Sequence, residues 1–226
     1  MNRKMFLAAT MFCLTALTLL SGCMHTVDVA YLVSATRLPT AQELENVTVG
    51  VAKFEDKRAW VEAGDPKTES FISQAGAHKF GLNYLDKDWV PVKDLIQDVL
   101  IKELTNAGIK AKALDVVLSK TSAKGASELG ADAGYLQIGG QILAFDYTLQ
   151  PGMWTVTARR TAILDLNLYR KGDTKPFHDQ PISEMDTQEY GMATSHSVNA
   201  YNLVNELLRK IAHQIVQQTA DRLAAK

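Results

Sequence analysis

Cysteine is scarce in this chain: 226 residues carry two, Cys13 and Cys23. A disulfide framework is therefore excluded as the source of its stability. A surplus of charge of one sign is missing as well. Lys and Arg number 24 against 25 Asp and Glu, for a formal net charge of -1, which excludes a nucleic-acid binder relying on a net positive field. The familiar signatures of catalysis are absent too. There is no Gly-x-Ser-x-Gly elbow, no Ser-x-x-Lys and no glycine-rich phosphate loop. The five histidines, His25, His78, His178, His196 and His213, never fall four apart or in a His-Glu-x-x-His pattern. Nothing repeats at a fixed period, which argues against a solenoid. What is present is ample apolar content, 46% of residues, too much for a disordered chain. The length suits one domain with a real core.

One long uncharged run exists, and it stands at the start. Arg3 and Lys4 precede sixteen residues without a charge, Met5 to Leu20, and Ser21-Gly22-Cys23 follows. A positive start, an apolar run and small residues at the end are the layout of a secretory signal peptide. A membrane-spanning helix is the alternative, but it needs roughly 20 apolar residues and a positive flank after the run. The tetrad Leu20-Ser21-Gly22-Cys23 resembles the bacterial lipobox; an ordinary signal peptide with a chance cysteine is the competing reading. The resemblance implies that residues 1–22 are removed and that Cys23 carries diacylglycerol on its thiol and an acyl chain, such as palmitate, on its amino group. Several chains anchor durably where one binds only marginally. Met24 rather than Asp after the cysteine favours, by resemblance to enteric sorting, the outer membrane with the domain in the periplasm. Cleavage removes Arg3, Lys4 and no acid, so the net charge falls from -1 to -3. Cys23 then remains as the single cysteine, its sulfur committed to lipid. This excludes a thiol nucleophile and a Cys-ligated zinc.

Residues 23–45 read as the acylated cysteine and a tether, with Val27 to Val33 apolar enough for a short edge strand. Residues 46–226 read as a single α/β periplasmic domain. Val47, Val49 and Val51 alternate in a strand that the charged run Glu55-Asp56-Lys57-Arg58 ends. Residues 59–88 show no clean period and read as a long loop, which is often functional. Val92, Leu95, Ile96, Val99, Leu100 and Leu104 form the stripe of a helix, opened by Pro91 and closed by Gly108. Ile109 to Leu114 reads as the next strand, completing a β–loop–α–β unit. The stretch Ser119–Gly130 is a candidate second helix. Tyr135 to Leu149 and Trp154 to Tyr169 read as a long antiparallel hairpin around Gln150-Pro151-Gly152. Gly139-Gly140 inside it marks a bulge or a close backbone approach. Lys175 to Tyr190 returns as a third strand. Tyr201, Val204, Leu208, Ile211, Ile215 and Leu223 share a face of a last helix, Ser197 to Ala224, with Ser195 or Ser197 as its cap.

This order of features resembles the YajG-like family of bacterial lipoproteins. The matching pieces are the lipobox at Cys23, the strand Val49 to Phe54 with Asp56-Lys57-Arg58, the helix ending Asn106-Ala107-Gly108, the hairpin, and the last helix with Asn205-Glu206-Leu207-Leu208. The resemblance implies an α+β fold, a mixed and mostly antiparallel sheet with two main helices on one face. It implies an envelope location more than an activity.

Candidate chemistry is thin. Glu55, Asp56, Glu62 and Asp65 cluster near the long loop. Paired carboxylates serve acid–base work or calcium, but Lys53, Lys57 and Arg58 interleave with them and point to a solvated, salt-bridged surface. The basic pair Arg159-Arg160 must face opposite sides of its strand. Trp60, Phe71, Phe80, Tyr84 and Trp89 fall in or beside the irregular region. Such aromatics anchor partners and stack on sugars, or they staple the loop to the domain. The expectation is therefore a membrane-anchored envelope lipoprotein without enzymatic activity, metal or cofactor beyond its lipid, acting as an interaction or assembly module toward an envelope protein. The alternative is a glycan or lipid binder, toward peptidoglycan or lipopolysaccharide, using the aromatic region. A hydrolase with dispersed carboxylates is a third and weaker reading.

Overall fold

The structure is a computed structural model, and it describes residues 23–29, 31–33, 47–61, 64–73, 78–121, 129, 133–191 and 196–224. Leu20, Ser21, Gly22, the candidate helix beyond Thr121 and the candidate cap Ser195 lie outside these residues. In chain order the elements are β1 (Cys23–Val29), β2 (Thr48–Lys53), β3 (Glu55–Asp56), α1 (Pro66–Ser70), β4 (His78–Tyr84), α2 (Val92–Asn106), β5 (Lys110–Val117), β6 (Leu136–Pro151), β7 (Thr155–Arg170), β8 (His178–Gly191) and α3 (His196–Ala224).

The fold is α+β. Six strands form one sheet in the order β5-β2-β6-β7-β8, with β3 on the free part of β6, and β1 and β4 make a separate two-stranded sheet. β5, β2, β3 and β6 run parallel, whereas β6, β7 and β8 run antiparallel in long registers. The predicted β–loop–α–β unit is therefore present, its strands paired from Thr48↔Lys110 onward.

Helix α2 forms where its stripe predicts. Val92, Leu95, Ile96, Val99, Leu100 and Leu104 are all buried, and each such side chain contributes about 1.5–3 kcal/mol by leaving water. The helix ends in a Schellman motif: Ile109 N–H donates to the Leu104 carbonyl and Gly108 N–H to that of Thr105, with Gly108 at φ 85°. Helix α3 lays Val204, Leu207, Leu208, Ile211, Ile215 and Val216 into the same core as Val49, Val51, Leu164 and Leu166. Both helices thus cover one face of the sheet. Arg160, on that face, is buried against α3 and pairs with Asp186 and Glu206. Its neighbour Arg159 is exposed, as strand alternation requires.

Three readings of the sequence change. The 59–88 region is not a loop, because α1 and β4 lie in it. Phe80, Leu82 and Tyr84 alternate there and are buried; Gly81 and Asn83 between them mask the period. The charged run does not simply end a strand either, since Glu55-Asp56 is β3, paired with Gln141-Ile142. Near the N-terminus, β1 takes up the first residues read as a tether. It pairs in parallel with β4 from Cys23↔His78 to Val29↔Tyr84, and Val27, Val29 and Tyr31 are buried in the main core.

Gly139-Gly140 is a site of close approach. Gly140 N–H donates to the Leu118 carbonyl at 2.7 Å, pulling the chain after β5 over the sheet. A Cβ on Gly139 would lie 2.2 Å from the Leu118 carbonyl oxygen, and one on Gly140, at φ 150°, 1.9 Å from that of Asp165. The bulge is nearby, between Ile142 and Ala144. Gly140→Ala is expected to destabilise the domain by about 2 kcal/mol or more in urea unfolding. Gly191→Ala, with nothing within 4 Å of its added Cβ, is expected to change it by less than about 0.5 kcal/mol.

Candidate functional site

The clustered carboxylates separate once folded. Glu55 turns to the chain after β5: its Oε2 accepts from Ser119 Oγ at 2.7 Å, Thr121 Oγ1 at 2.7 Å and Gln141 Nε2 at 3.0 Å, while Lys57 Nζ sits 2.6 Å from Oε1. Asp56 faces the other way and holds Arg58. The guanidinium gives Nε to Asp56 Oδ1 at 2.9 Å and Nη2 to Oδ2 at 2.6 Å. It also donates to the carbonyls of Phe71 and Glu69. Both side chains of this pair are almost completely buried, so the ion pair nails residues 69–71 to the end of β3. Asp65 caps α1 through Lys67 N–H at 3.0 Å. Glu62 lies outside the described residues. Among the described residues, no group of three or more His, Cys, Asp and Glu converges as a metal site.

The five aromatics also part company. Trp60 stacks under Arg58, 4.6 Å from the guanidinium carbon to the ring centre. Phe80 is interior and meets Tyr147 edge-on at 5.3 Å. Phe71 is buried and meets Trp89 edge-on at 5.8 Å. These three fasten the segment to the domain. Tyr84 and Trp89 alone of the five line an open cleft of about 400 Å³ between the β4–α2 turn and the first turns of α2.

Three backbone features shape that cleft. Leu85, Asp86 and Trp89 adopt φ of 49°, 58° and 56°, a left-handed geometry that costs non-glycine residues roughly 1–2 kcal/mol each. Such strain persists only where surroundings impose it. Here Tyr84 and Lys87 exchange backbone hydrogen bonds, and Val90 N–H donates to the Leu82 carbonyl. The indole of Trp89 packs against Gly81, where a Cβ would come within 2.3 Å of Cζ3, so only glycine admits it. Lys67 approaches the indole at 5.5 Å.

The polar wall comes from Asp94 and Asp98, which sequence inspection did not single out, and from Lys53, read there only as part of a salt-bridged surface. The signal available was the i,i+4 pair Asp94/Asp98, one turn after Trp89 and off the apolar stripe. Lys53 Nζ lies 3.0 Å from Asp115 Oδ1 and 3.4 Å from Asp94 Oδ1, and these neighbours raise its pKa. The Tyr84 hydroxyl donates to Asp98 and accepts from Lys102 Nζ at 2.5 Å. Burial first, and the Asp98 carboxylate second, raise the phenol's pKa. Gln97 is spent on structure, donating to the Val51 and Leu114 carbonyls. A larger hollow of about 660 Å³ adjoins, lined by Asp28, Asn83, Asp86 and Asp88 among others. Beside the aromatic wall stand three carboxylates, Asp88, Asp94 and Asp98, and two ammonium groups, Lys53 and Lys87, a nearly balanced lining that suits a neutral, hydroxyl-rich ring better than a net charge.

No family model matches the chain, and no curated protein matches it. Solved structures superimpose on it only weakly. A DUF330-family protein of Xanthomonas campestris superimposes with a TM-score of 0.47 at 12% identity, over 88% of this chain and 94% of that one. A minor lipoprotein of Acinetobacter baumannii gives 0.36 at 13%, over 77% and 91%. The PelC dodecamer of Paraburkholderia phytofirmans gives 0.38 at 11%, over 77% and 94%. At these values the likeness carries no inference about function.

The Glu55 cluster generates a pH prediction. Burial alone would raise this carboxyl, but the hydrogen bonds from Lys57, Ser119, Thr121 and Gln141 outweigh it and hold the pKa down to about 2, from 4.5. A depressed carboxylate stabilises the fold fully above its unfolded value and loses that contribution as pH falls through the window from 4.5 to about 2. Urea midpoints measured across that window should fall less steeply in Glu55→Gln than in the parent. An unchanged slope would remove Glu55 as the cause.

Proposed function

We propose that the chain is a lipid-anchored protein of the bacterial envelope, acylated at Cys23, whose domain faces the periplasm and serves as a non-enzymatic interaction or assembly module at the outer membrane. The observation that carries this reading is the tetrad Leu20-Ser21-Gly22-Cys23 behind a positive start and an uncharged run, with Cys23 itself in a strand paired to β4 of the folded domain. Cleavage before Cys23 would leave the pairing of residues 23–29 with β4 in place and hold the domain close against the headgroups. The reading as a binding module rather than an enzyme is supported by the carboxylates: Glu55, Asp56, Asp65 and Glu69 are each taken up by partners that hold the fold. Apolar side chains also stand in solvent on the sheet face away from the helices, Leu143 at 44% and Met185 at 56% exposure, where an envelope protein could dock. Metabolic labelling with palmitate is expected to mark the parent chain and send it to the outer-membrane fraction. Cys23→Ser should take up no label and accumulate in soluble or uncleaved form; labelling of that variant would overturn the assignment.

A second reading, favoured by the Trp89 cleft, is that the module binds glycan, with peptidoglycan fragments as the first class to try. The indole offers an apolar face to a sugar ring, and Asp94 and Asp98 offer acceptors to its hydroxyls. Titration with soluble muropeptides, followed by amide chemical shifts, should perturb residues 84–98, and Trp89→Ala should weaken binding at least tenfold. Trp60→Ala, on the far side of Arg58, should leave the affinity within about twofold. Equal losses in both variants would mean that the cleft is not the site.

A further inference from the structure

The hairpin between β6 and β7 ends in a turn that the domain does not use. Met153 and Trp154 are 82% and 80% exposed, the turn being closed by Gly152 N–H to the Thr155 carbonyl. From Gln150 to Thr155 there is no charged residue; the nearest carboxylate, Glu189, accepts from the Thr155 hydroxyl at 2.5 Å. A tryptophan held four-fifths in water on the tip of two sixteen-residue strands is a costly arrangement for a surface that meets only solvent.

The topology places this tip relative to Cys23. Tyr84, at the end of β4, is tied to α2 through Asp98 and Lys102. Four residues earlier, Phe80 touches Tyr147 on the distal half of the hairpin, and Ile72 bridges them, donating to the Phe80 carbonyl and accepting from Tyr147 N–H. Read backward from Tyr84 to His78, β4 therefore runs toward the hairpin tip. β1 is parallel to β4 with Cys23 opposite His78, so Cys23 comes at that same end. At about 3.3 Å per residue, Cys23 stands roughly 7 Å beyond the Phe80 level, and the turn roughly 20 Å beyond Tyr147. The hairpin is long enough to reach any surface that chains on Cys23 enter.

We infer that the Met153-Trp154 tip is a second membrane contact, seated in the interface of the leaflet that holds the Cys23 acyl chains. The chemistry fits. Indole prefers the headgroup boundary, where its ring is apolar and its N–H stays wet. Methionine adapts to a disordered surface, and residues 150–155 carry no charge of their own, the neighbouring carboxylate being that of Glu189 on β8. Two contacts separated by the hairpin's reach fix the orientation of the domain, which one lipid-bearing residue cannot do. They turn the Trp89 cleft and the open sheet face to set directions in the periplasm.

This inference rests on acylation of Cys23, and the test separates the two. The acylated full chain is reconstituted into vesicles of phosphatidylethanolamine and phosphatidylglycerol, some carrying bromines near the top of the acyl chains. Flotation with the vesicles reports the anchor; a chain that fails to float overturns acylation, and with it the tip contact that rests on it. In the floated protein, indole fluorescence reports the tip. Bromolipid is expected to quench the parent chain clearly, and Trp154→Phe, which leaves Trp60 and Trp89 in place, should lose at least two-thirds of that quenching. Met153→Asn together with Trp154→Asn should float equally but give a broader distribution of domain tilt by neutron reflectometry. Floated protein whose Trp154 fluorescence is unmoved by bromolipid and remains open to aqueous iodide overturns the inference. So does protection of Trp154 that appears only after envelope proteins are added, which would assign the tip to a protein partner.

Discussion

Pairing along β6 is the constraint on which the rest of this molecule depends. On one side the strand pairs with β7 from Leu136↔Arg170 to Pro151↔Val156, broken only by the bulge between Ile142 and Ala144. On the other it is shared by three segments in succession: β2 at Val49 to Val51, β3 at Glu55 and Asp56, and Ile72 at Tyr147. The parallel and antiparallel halves of the sheet meet in this one strand. Its two adjacent glycines admit the Leu118 carbonyl on one side and the Asp165 carbonyl on the other. A methyl group cannot be absorbed there, because it would lie 2.2 Å from the Leu118 oxygen on Gly139 or 1.9 Å from the Asp165 oxygen on Gly140.

Around that strand the domain spends buried charge to hold irregular backbone. The Asp56–Arg58 pair is nearly solvent-free, and the guanidinium also satisfies two carbonyls of the α1 segment. Such a pair adds little net stability over an apolar packing but punishes the loss of either partner heavily. Its value here is positional. Glu103 plays the matching part where the two long helices meet. It accepts from the Tyr31 hydroxyl at 2.6 Å and lies 3.5 Å from His213, so the chain leaving β1 is locked to both α2 and α3. Burial, then the bond to Glu103, pushes the Tyr31 phenol far above its ordinary range, keeping it a neutral donor.

These restraints place the candidate cleft and the exposed hairpin tip at defined ends. The strained turn after β4 opens the cleft with Trp89 on one wall and Asp94 and Asp98 on another. The long hairpin carries Met153 and Trp154 to the end where β1 begins. The domain therefore has a pole and a side, and the distinction follows from strand direction rather than from any one residue.

Local signals determined most of the elements. Apolar spacing marks α2 and α3, strand alternation marks β2 and β7, Gln150-Pro151-Gly152 marks the hairpin turn, and Gly139-Gly140 marks the close approach. The run before Cys23 determined the expectation of a signal peptide through charge and length, and the expectation of an anchor came from the resemblance of Leu20-Ser21-Gly22-Cys23 to a lipobox. What remained illegible needed distant neighbours. β4 is hidden because its glycine is demanded by an indole eight residues later. β3 is hidden because a strand of two charged residues exists only where Gln141 and Ile142 present an unpaired edge. The aromatics between Trp60 and Trp89 look like one cluster in the chain, yet folding sends Phe80 to Tyr147, Trp60 to Arg58, and leaves Tyr84 and Trp89 at a cleft with Lys53, Asp94 and Asp98. Spacing along a chain carries information over a turn of helix or a few strand residues. Which side chains then share a surface is decided by the register of strands far apart in sequence, and only the tertiary structure sets that.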